Sequence, residues 1–279
     1  VAALAPALVK AGVQVQVVTP RWKGGDEQEP IVAGPARARK TPPPSVYRIN
    51  PPVMRMGNFF ADVQQTNLNL EEQAQRLYAR FGGFDLIHAH DWLVAFAATS
   101  IKRMHRTPLL ATLHATERGR GRGFVGGESS QAINGTEWWL TYEAWRVITC
   151  SQFMTDEVRG YFNVPPNKID VVPNGVAAAP FEELDGIDLA EFRKRWALPG
   201  ERIIFNVGRV VHEKGAHLIV EAAPRVLAQM PNVKFVIAGT GSMVDQLKRR
   251  AWELGVSEQV VLAGFISDPD RNRLLKVAD

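Results

Sequence analysis

The residues with the most chemistry to offer stand where apolar runs stop. Gly208 and Arg209 close the run Ile203–Val207, and Lys214 and Gly215 open an amphipathic stretch. If that run is a strand of an open α/β sheet, both cations fall beyond its carboxyl end, beside a helix start whose unpaired N–H groups favour anions. Such a place suits a doubly charged group such as the diphosphate of a sugar nucleotide, with arginine gripping bidentately and lysine acting as a point charge. Negative charge developing on a departing diphosphate would strengthen both contacts in the transition state. The plainer reading is that Arg209 and Lys214 are solvated rim charges.

Other clusters repeat the pattern. His88-Ala89-His90-Asp91-Trp92 ends one β-like run and opens a helical one. Asp91 suits the N-cap there, while His88 and His90, at i and i+2, share one side of a strand without a third metal ligand at suitable spacing, so no metal is expected. Thr112-Leu113-His114-Ala115-Thr116-Glu117 leaves a second run, where a histidine either serves the structure or reaches a sugar hydroxyl or a proton. Gly239-Thr240-Gly241 follows a third run and resembles part of a dinucleotide fingerprint, with Val244 in place of the last glycine; a tight bend accounts for it equally. Trp138, Trp139 and Trp145 offer an aromatic face for carbohydrate, although their helical spacing makes core packing the default. The sequence holds no P-loop, Cys-x-x-Cys or Gly-x-Ser-x-Gly motif.

The elements that must position these residues alternate. Strands are predicted at Val13–Thr19, Val46–Ile49, Asp85–His90, Leu109–His114, Val147–Cys150 and Ile169–Val172, with helices over 58–81, 92–104, 134–145 and 151–162. Pro6 predicts a kink or frayed first turn in an opening helix. Gly24–Pro44 reads as a long surface loop with a basic cluster at Arg37, Arg39 and Lys40, and the Gly- and Arg-rich Thr116–Gln131 as a flexible basic loop. After Pro173-Asn174-Gly175, the small and acidic Ala177–Asp188 suggests a connection between domains. A second alternating run follows, with strands at Ile203–Val207, Lys234–Ala238 and Val260–Ala263 and helices near 216–230 and 242–254. The stripe of the first helix is Ile219, Ala222, Ala223, Val226, Leu227 and Met230. Such alternation implies mainly parallel sheets in two α/β domains.

Bulk composition agrees with a folding chain of that size: 279 residues, 46% apolar and 22% charged. Lys plus Arg exceed Asp plus Glu by 33 to 29, too small an excess to mark a nucleic-acid binder but favourable to small anions. Cys150 is the only cysteine, which points to a reducing compartment, the cytoplasm. The apolar stretch Trp92–Ile101 is about half the ~20 residues a membrane span needs. The chain opens at Val1 and stops at Asp279 inside apparent helices, as a piece cut at both ends would.

Taken together, His88–Trp92, Thr112–Arg120, Val172-Pro-Asn-Gly-Val176, Gly208-Arg209 with Lys214-Gly215, and Ala238-Gly-Thr-Gly241 resemble family 4 glycosyltransferases, near the glycogen-synthase-like members. The resemblance implies the GT-B fold of two Rossmann-like, doubly wound parallel-sheet domains: residues 1–178 on the acceptor side and 179–279 binding the nucleotide-sugar. It implies retaining, metal-independent transfer of a sugar, glucose first, from a UDP- or ADP-sugar to a glucan or other carbohydrate, with no cofactor beyond that substrate. By the same resemblance, Arg209 and Lys214 hold the diphosphate with Gly208, Gly215, Gly239 and Gly241 around the donor. His114 contacts the donor sugar, and Asp91, Trp92 and Glu117 lie toward the acceptor. The family's first strand with its glycine-rich loop would precede Val1, and its Glu-x7-Glu segment would follow Asp279. The 279 residues alone are therefore expected to show little or no transfer. A UDP-N-acetylglucosamine 2-epimerase and a non-catalytic scaffold of the same architecture are the alternatives; the epimerase fits the Arg209 and Lys214 arrangement less well.

Overall fold

The computed structural model describes residues 3–21, 24–31, 43–50 and 57–279. The chain divides into two compact units, Val1–Gly175 and Val176–Asp279. The basic cluster at Arg37, Arg39 and Lys40 lies outside the described residues.

The first unit opens with α1 (Leu4–Lys10), in which Pro6 sits in the first turn, where a missing N–H costs little. Strands β1 (Gln16–Pro20), β2 (Gln28–Pro30) and β3 (Ser45–Ile49) form one sheet in the order β1-β3-β2. β1 runs parallel to β3, and β2 pairs with it antiparallel, so part of the predicted long loop is an exposed edge strand. The long α2 (Phe59–Phe81) begins where Asn58 Oδ1 accepts the Phe60 N–H at 2.9 Å and ends at Gly82, whose φ of 77° closes the last turn.

A second sheet, β4 (Ile87–His90), β5 (Leu109–Leu113), β6 (Arg146–Thr149) and β7 (Ile169–Val171), is parallel throughout in chain order. Helices α3 (Ala95–His105), α4 (Glu117–Arg120), α5 (Glu128–Glu143) and α6 (Gln152–Phe162) connect its strands. β5 is apolar and covered, as a strand enclosed on both faces must be: Leu109, Ala111 and Leu113 pack with Val147, Leu140, Val158 and Phe162 in one core. The expected flexible segment Thr116–Gln131 is instead folded, with α4 inside it and α5 beginning at Glu128.

The second unit holds α7 (Ala179–Glu182) and α8 (Ala190–Lys194), then β8 (Arg202–Val207), α9 (Ala216–Leu227), β9 (Val233–Ala238), α10 (Val244–Glu253), β10 (Val260–Gly264) and α11 (Asp268–Val277). Its parallel sheet has β9 at the centre. Side chains alternate along β9: Phe235 and Ile237 pack with Val220, Ala223 and Leu247 of α9 and α10, while Val236 packs with Phe192 and Leu274 of α8 and α11. Helices thus cover both faces, the doubly wound arrangement expected. The α9 stripe is shifted from the predicted one. Ala216 and Val220 are buried, Ala222 is exposed, and Met230 lies beyond the helix end and is exposed. Past α11, the Asp279 N–H donates to the Ile203 carbonyl at 3.0 Å.

Candidate active site

Parallel register brings the carboxyl ends of β4 to β7 level, His90 opposite Thr112 and Leu113 opposite Thr149. Residues just past those ends therefore become neighbours although far apart in sequence. His88 Nε2 lies 2.7 Å from Thr112 Oγ1, and His90 Nδ1 lies 3.0 Å from His114 Nε2. On its other side, His114 Nδ1 is 3.6 Å from Cys150 Sγ, whose thiol is 3.5 Å from Asn174 Oδ1. Burial, then the nearby His114, lowers the His88 pKa to about 4; burial, then His88 and His114, lowers that of His90 to about 3. Both rings are neutral at physiological pH, so the His90–His114 contact is a hydrogen bond sharing a single proton. No group of three or more potential metal-ligating side chains gathers among the described residues.

Asp91 adopts φ 59° and ψ 177°, a conformation that costs a non-glycine residue about 1–3 kcal/mol and persists only where surroundings impose it. The imposing contacts are visible. Its N–H donates to the Thr112 carbonyl at 2.9 Å, and its Oδ1 accepts the His114 N–H at 2.7 Å. The carboxylate also accepts from the Ala115 N–H, yet burial outweighs these bonds and raises its pKa. The cap expected of Asp91 is not made. Its side chain leaves its own helix and ties the β5 tip instead. Asn67 fixes the following turn: its Nδ2 donates to the Leu93 carbonyl at 2.8 Å and its Oδ1 accepts the Ala97 N–H at 2.9 Å.

Trp92 lies beneath this surface. Only 3% exposed, it stacks on Phe60 at 5.6 Å and meets the edge of Phe59 at 5.8 Å. The resemblance places Trp92 toward the acceptor; in this structure its ring packs α2 against the turn. Glu117 is engaged too, its carboxylate accepting the Ser130 hydroxyl at 2.8 Å. Of the three tryptophans, Trp139 packs on the core beside Phe96, whereas Trp138 and Trp145 are exposed and Trp138 stacks on Tyr142 at 5.8 Å.

In the second unit, Gly208 and Arg209 follow β8, and a 3-10 turn at His212–Lys214 ends on Gly215, whose φ of 75° redirects the chain into α9. Arg209 is exposed and 3.2 Å from the Glu213 carboxylate; Lys214 is exposed with no ion pair among the described residues. The glycines after β9 serve close approach. A Cβ on Gly239 would stand 1.8 Å from the Gly208 carbonyl oxygen, and one on Gly241 2.2 Å from that of Val210. Three hydrogen bonds zip the two turns: Gly208 N–H to Ala238 O at 3.0 Å, Val210 N–H to Thr240 O at 2.9 Å, and Met243 N–H to Val210 O at 3.1 Å. Gly208 itself has open space where a Cβ would go.

Residues 1–179 match the family model described as Glycosyltransferase Family 4. The chain belongs to glycosyltransferase family 4. Residues 188–279 of this family 4 glycosyltransferase match a second model, Glycosyl transferases group 1. It is 36% identical over 198 residues to an uncharacterized glycosyltransferase of Methanocaldococcus jannaschii, covering 70% of this chain and 50% of that protein. It is 34% identical over 195 residues to the glycogen synthase of Mycobacterium tuberculosis, covering 70% and 45%. The chain thus spans about half the length of these relatives. Sucrose-phosphate synthase from Thermosynechococcus elongatus superposes with a TM-score of 0.73 at 17% identity, over 99% of this chain and 66% of that one, which supports the GT-B fold. No helix among the described residues is long and apolar enough to cross a membrane.

Within the family 4 units, Asp91 and His114 leave the ends of β4 and β5 and meet through a 2.7 Å hydrogen bond, while Arg209 and Lys214 both lie between β8 and α9. Spacing along the chain does not reveal His90 and Cys150 as neighbours of the His114 ring, Asn174 beside the Cys150 thiol, or Glu137 as the acceptor of the Glu117 N–H. A readable signal existed for Glu137: it interrupts the α5 core stripe Ile133, Leu140 and Ala144 with a carboxylate.

Proposed function

We propose that the full-length protein is a retaining, metal-independent glycosyltransferase. It moves a sugar, glucose being favoured, from a UDP- or ADP-sugar to a glucan or other carbohydrate acceptor. The observation that carries this reading is the pair of exposed cations in the turn after β8: among the described residues Lys214 has no ion pair and Arg209 pairs with Glu213 alone. A diphosphate carries more charge than the Glu213 carboxylate and offers Arg209 a bidentate partner, so it would compete well for the guanidinium. As the bond between the sugar and the diphosphate breaks, its electron pair passes to the leaving oxygen, and both cations stabilise the charge that appears there.

His114 is the group assigned to the donor sugar. Its ring is oriented by His90, and the weaker thiol contact on Nδ1 is the one that would yield to a sugar hydroxyl. Asp91, committed to the His114 and Ala115 N–H groups, acts in this reading by positioning the turn. The 34% identity to a glycogen synthase supports a glucosyl donor and a glucan acceptor. The lone Cys150 supports a cytoplasmic setting. A panel of UDP- and ADP-sugars tested for transfer and donor hydrolysis decides the matter: turnover of at least one is expected, and binding without turnover of any would leave the scaffold reading.

A further inference from the structure

The turn after β5 is held from beneath by a carboxylate with no exposure at all. Glu137, on α5, is 0% exposed, and both its oxygens accept the Glu117 N–H, at 2.9 and 2.8 Å. Arg120 Nη2 donates to the same Oε1 at 3.2 Å, while Arg120 Nε lies 3.4 Å from the Glu117 carboxylate. Glu117 is the first residue of α4, and its N–H has no partner within that helix. Thr116, also buried, accepts the Gly119 N–H at 2.8 Å. The amides of His114, Ala115 and Glu117 are thus taken by two carboxylates, Asp91 for the first two and Glu137 for the third.

We propose that Glu137 is a positioning residue whose buried carboxyl group, gripping the Glu117 N–H and the Arg120 guanidinium, holds the turn that carries His114. Burying an ionisable group is costly unless it is bonded, and a hydrophobic residue at this core position would leave the Glu117 N–H orphaned. The arrangement also accounts for the glycines of the segment. A Cβ on Gly119 would stand 2.8 Å from Thr116 Oγ1 and one on Gly121 2.1 Å from the Phe124 carbonyl oxygen, so these residues allow the segment after Thr116 to fold tightly.

The charged groups around Glu137 are Arg120 and Glu117 from α4 and Asp91 from the β4 tip. Burial raises its pKa to about 7, against the lowering effect of the Glu117 N–H and Arg120. An opened turn would return the carboxyl toward its ordinary 4.5, so opening becomes easier as pH rises from 4.5 to about 7.

The consequence for catalysis rests on the reading of His114 as the group at the donor sugar, and the test separates the two. In the full-length protein, Glu137→Gln places an amide NH2 against the Glu117 N–H, and Arg120→Gln removes the guanidinium from an exposed position. Glu137→Gln is expected to lower kcat about 10-fold or more with little change in donor KM, the size of one lost buried hydrogen bond. Arg120→Gln is expected to fall in between. Independently of activity, hydrogen exchange of the Glu117 amide, corrected for its intrinsic rate, should show protection that declines between pH 4.5 and about 7 in the wild type and is absent in Glu137→Gln. Equal protection in the variant overturns the proposal, as does an unchanged kcat in an active enzyme. If the wild type turns over no nucleotide-sugar, the transferase reading fails, and the amide alone supports or overturns the clamp.

Discussion

Replacing single glycines in the second unit should separate those that serve packing from the one that faces open space. In Gly241→Ala the new Cβ would sit 2.2 Å from the Val210 carbonyl oxygen and 2.5 Å from its carbon, distances real contacts do not reach. The two turns must part by about 1 Å, straining the Val210–Thr240 and Met243–Val210 hydrogen bonds. Overpacking costs about 1–3 kcal/mol and each net hydrogen bond about 1, so a loss near 4 kcal/mol is expected. That is a large share of the stability of a unit this size. Gly208→Ala has nothing within 4 Å of its Cβ and no positive φ, so its stability should stay within about 1 kcal/mol of wild type. Its methyl would nevertheless project where the donor diphosphate is proposed to approach, raising donor KM about 10-fold or more. Urea unfolding of both variants and donor kinetics of Gly208→Ala are the assays. A Gly241→Ala protein as stable as wild type, or a Gly208→Ala protein destabilised by more than about 2 kcal/mol, would refute the packing argument.

Other expectations follow from the same geometry. His88 and His90 have pKa values lowered from 6.5 to about 4 and about 3, so their neutral forms contribute stability above pH 6.5 that is lost as pH falls toward those values. The acid limb of the unfolding curve should be shallower in His90→Asn, and an unaltered limb would contradict this. Glu137 acts in the opposite sense: its raised pKa contributes stability fully present below 4.5 and lost as pH rises to about 7, a slope that Glu137→Gln should remove. Asn67→Leu keeps the branching of the side chain but orphans the Leu93 carbonyl and the Ala97 N–H; a loss of about 3 kcal/mol in chemical denaturation is expected.

Much of the architecture could be read from residue order because local and tertiary preferences agree. The apolar run at Leu109–Leu113 is a strand both by composition and by enclosure, and Asn58, Ser151 and Ser267 cap helices where side-chain chemistry says they should. Legibility failed where tertiary contact overrides composition. Gly119 and Gly121 look like flexibility, yet they permit close packing around Thr116 and Phe124. Gln28-Glu29-Pro30 has no alternation to mark it, because an exposed edge strand has no buried face to specify. At the candidate site, the ends of strands single out His114, Asp91, Arg209 and Lys214. The His90 and Cys150 neighbours of the His114 ring, and Asn174 beside the Cys150 thiol, depend on strand register, which spacing along one chain does not reveal.

The central claim, that Arg209 and Lys214 stabilise charge on a departing diphosphate, is tested most directly by kcat for nucleotide-sugar turnover in the full-length Arg209→Ala and Lys214→Ala proteins. Each is expected to lose about 10²-fold or more in kcat, beyond any change in donor affinity. Turnover equal to wild type in either variant would contradict the account.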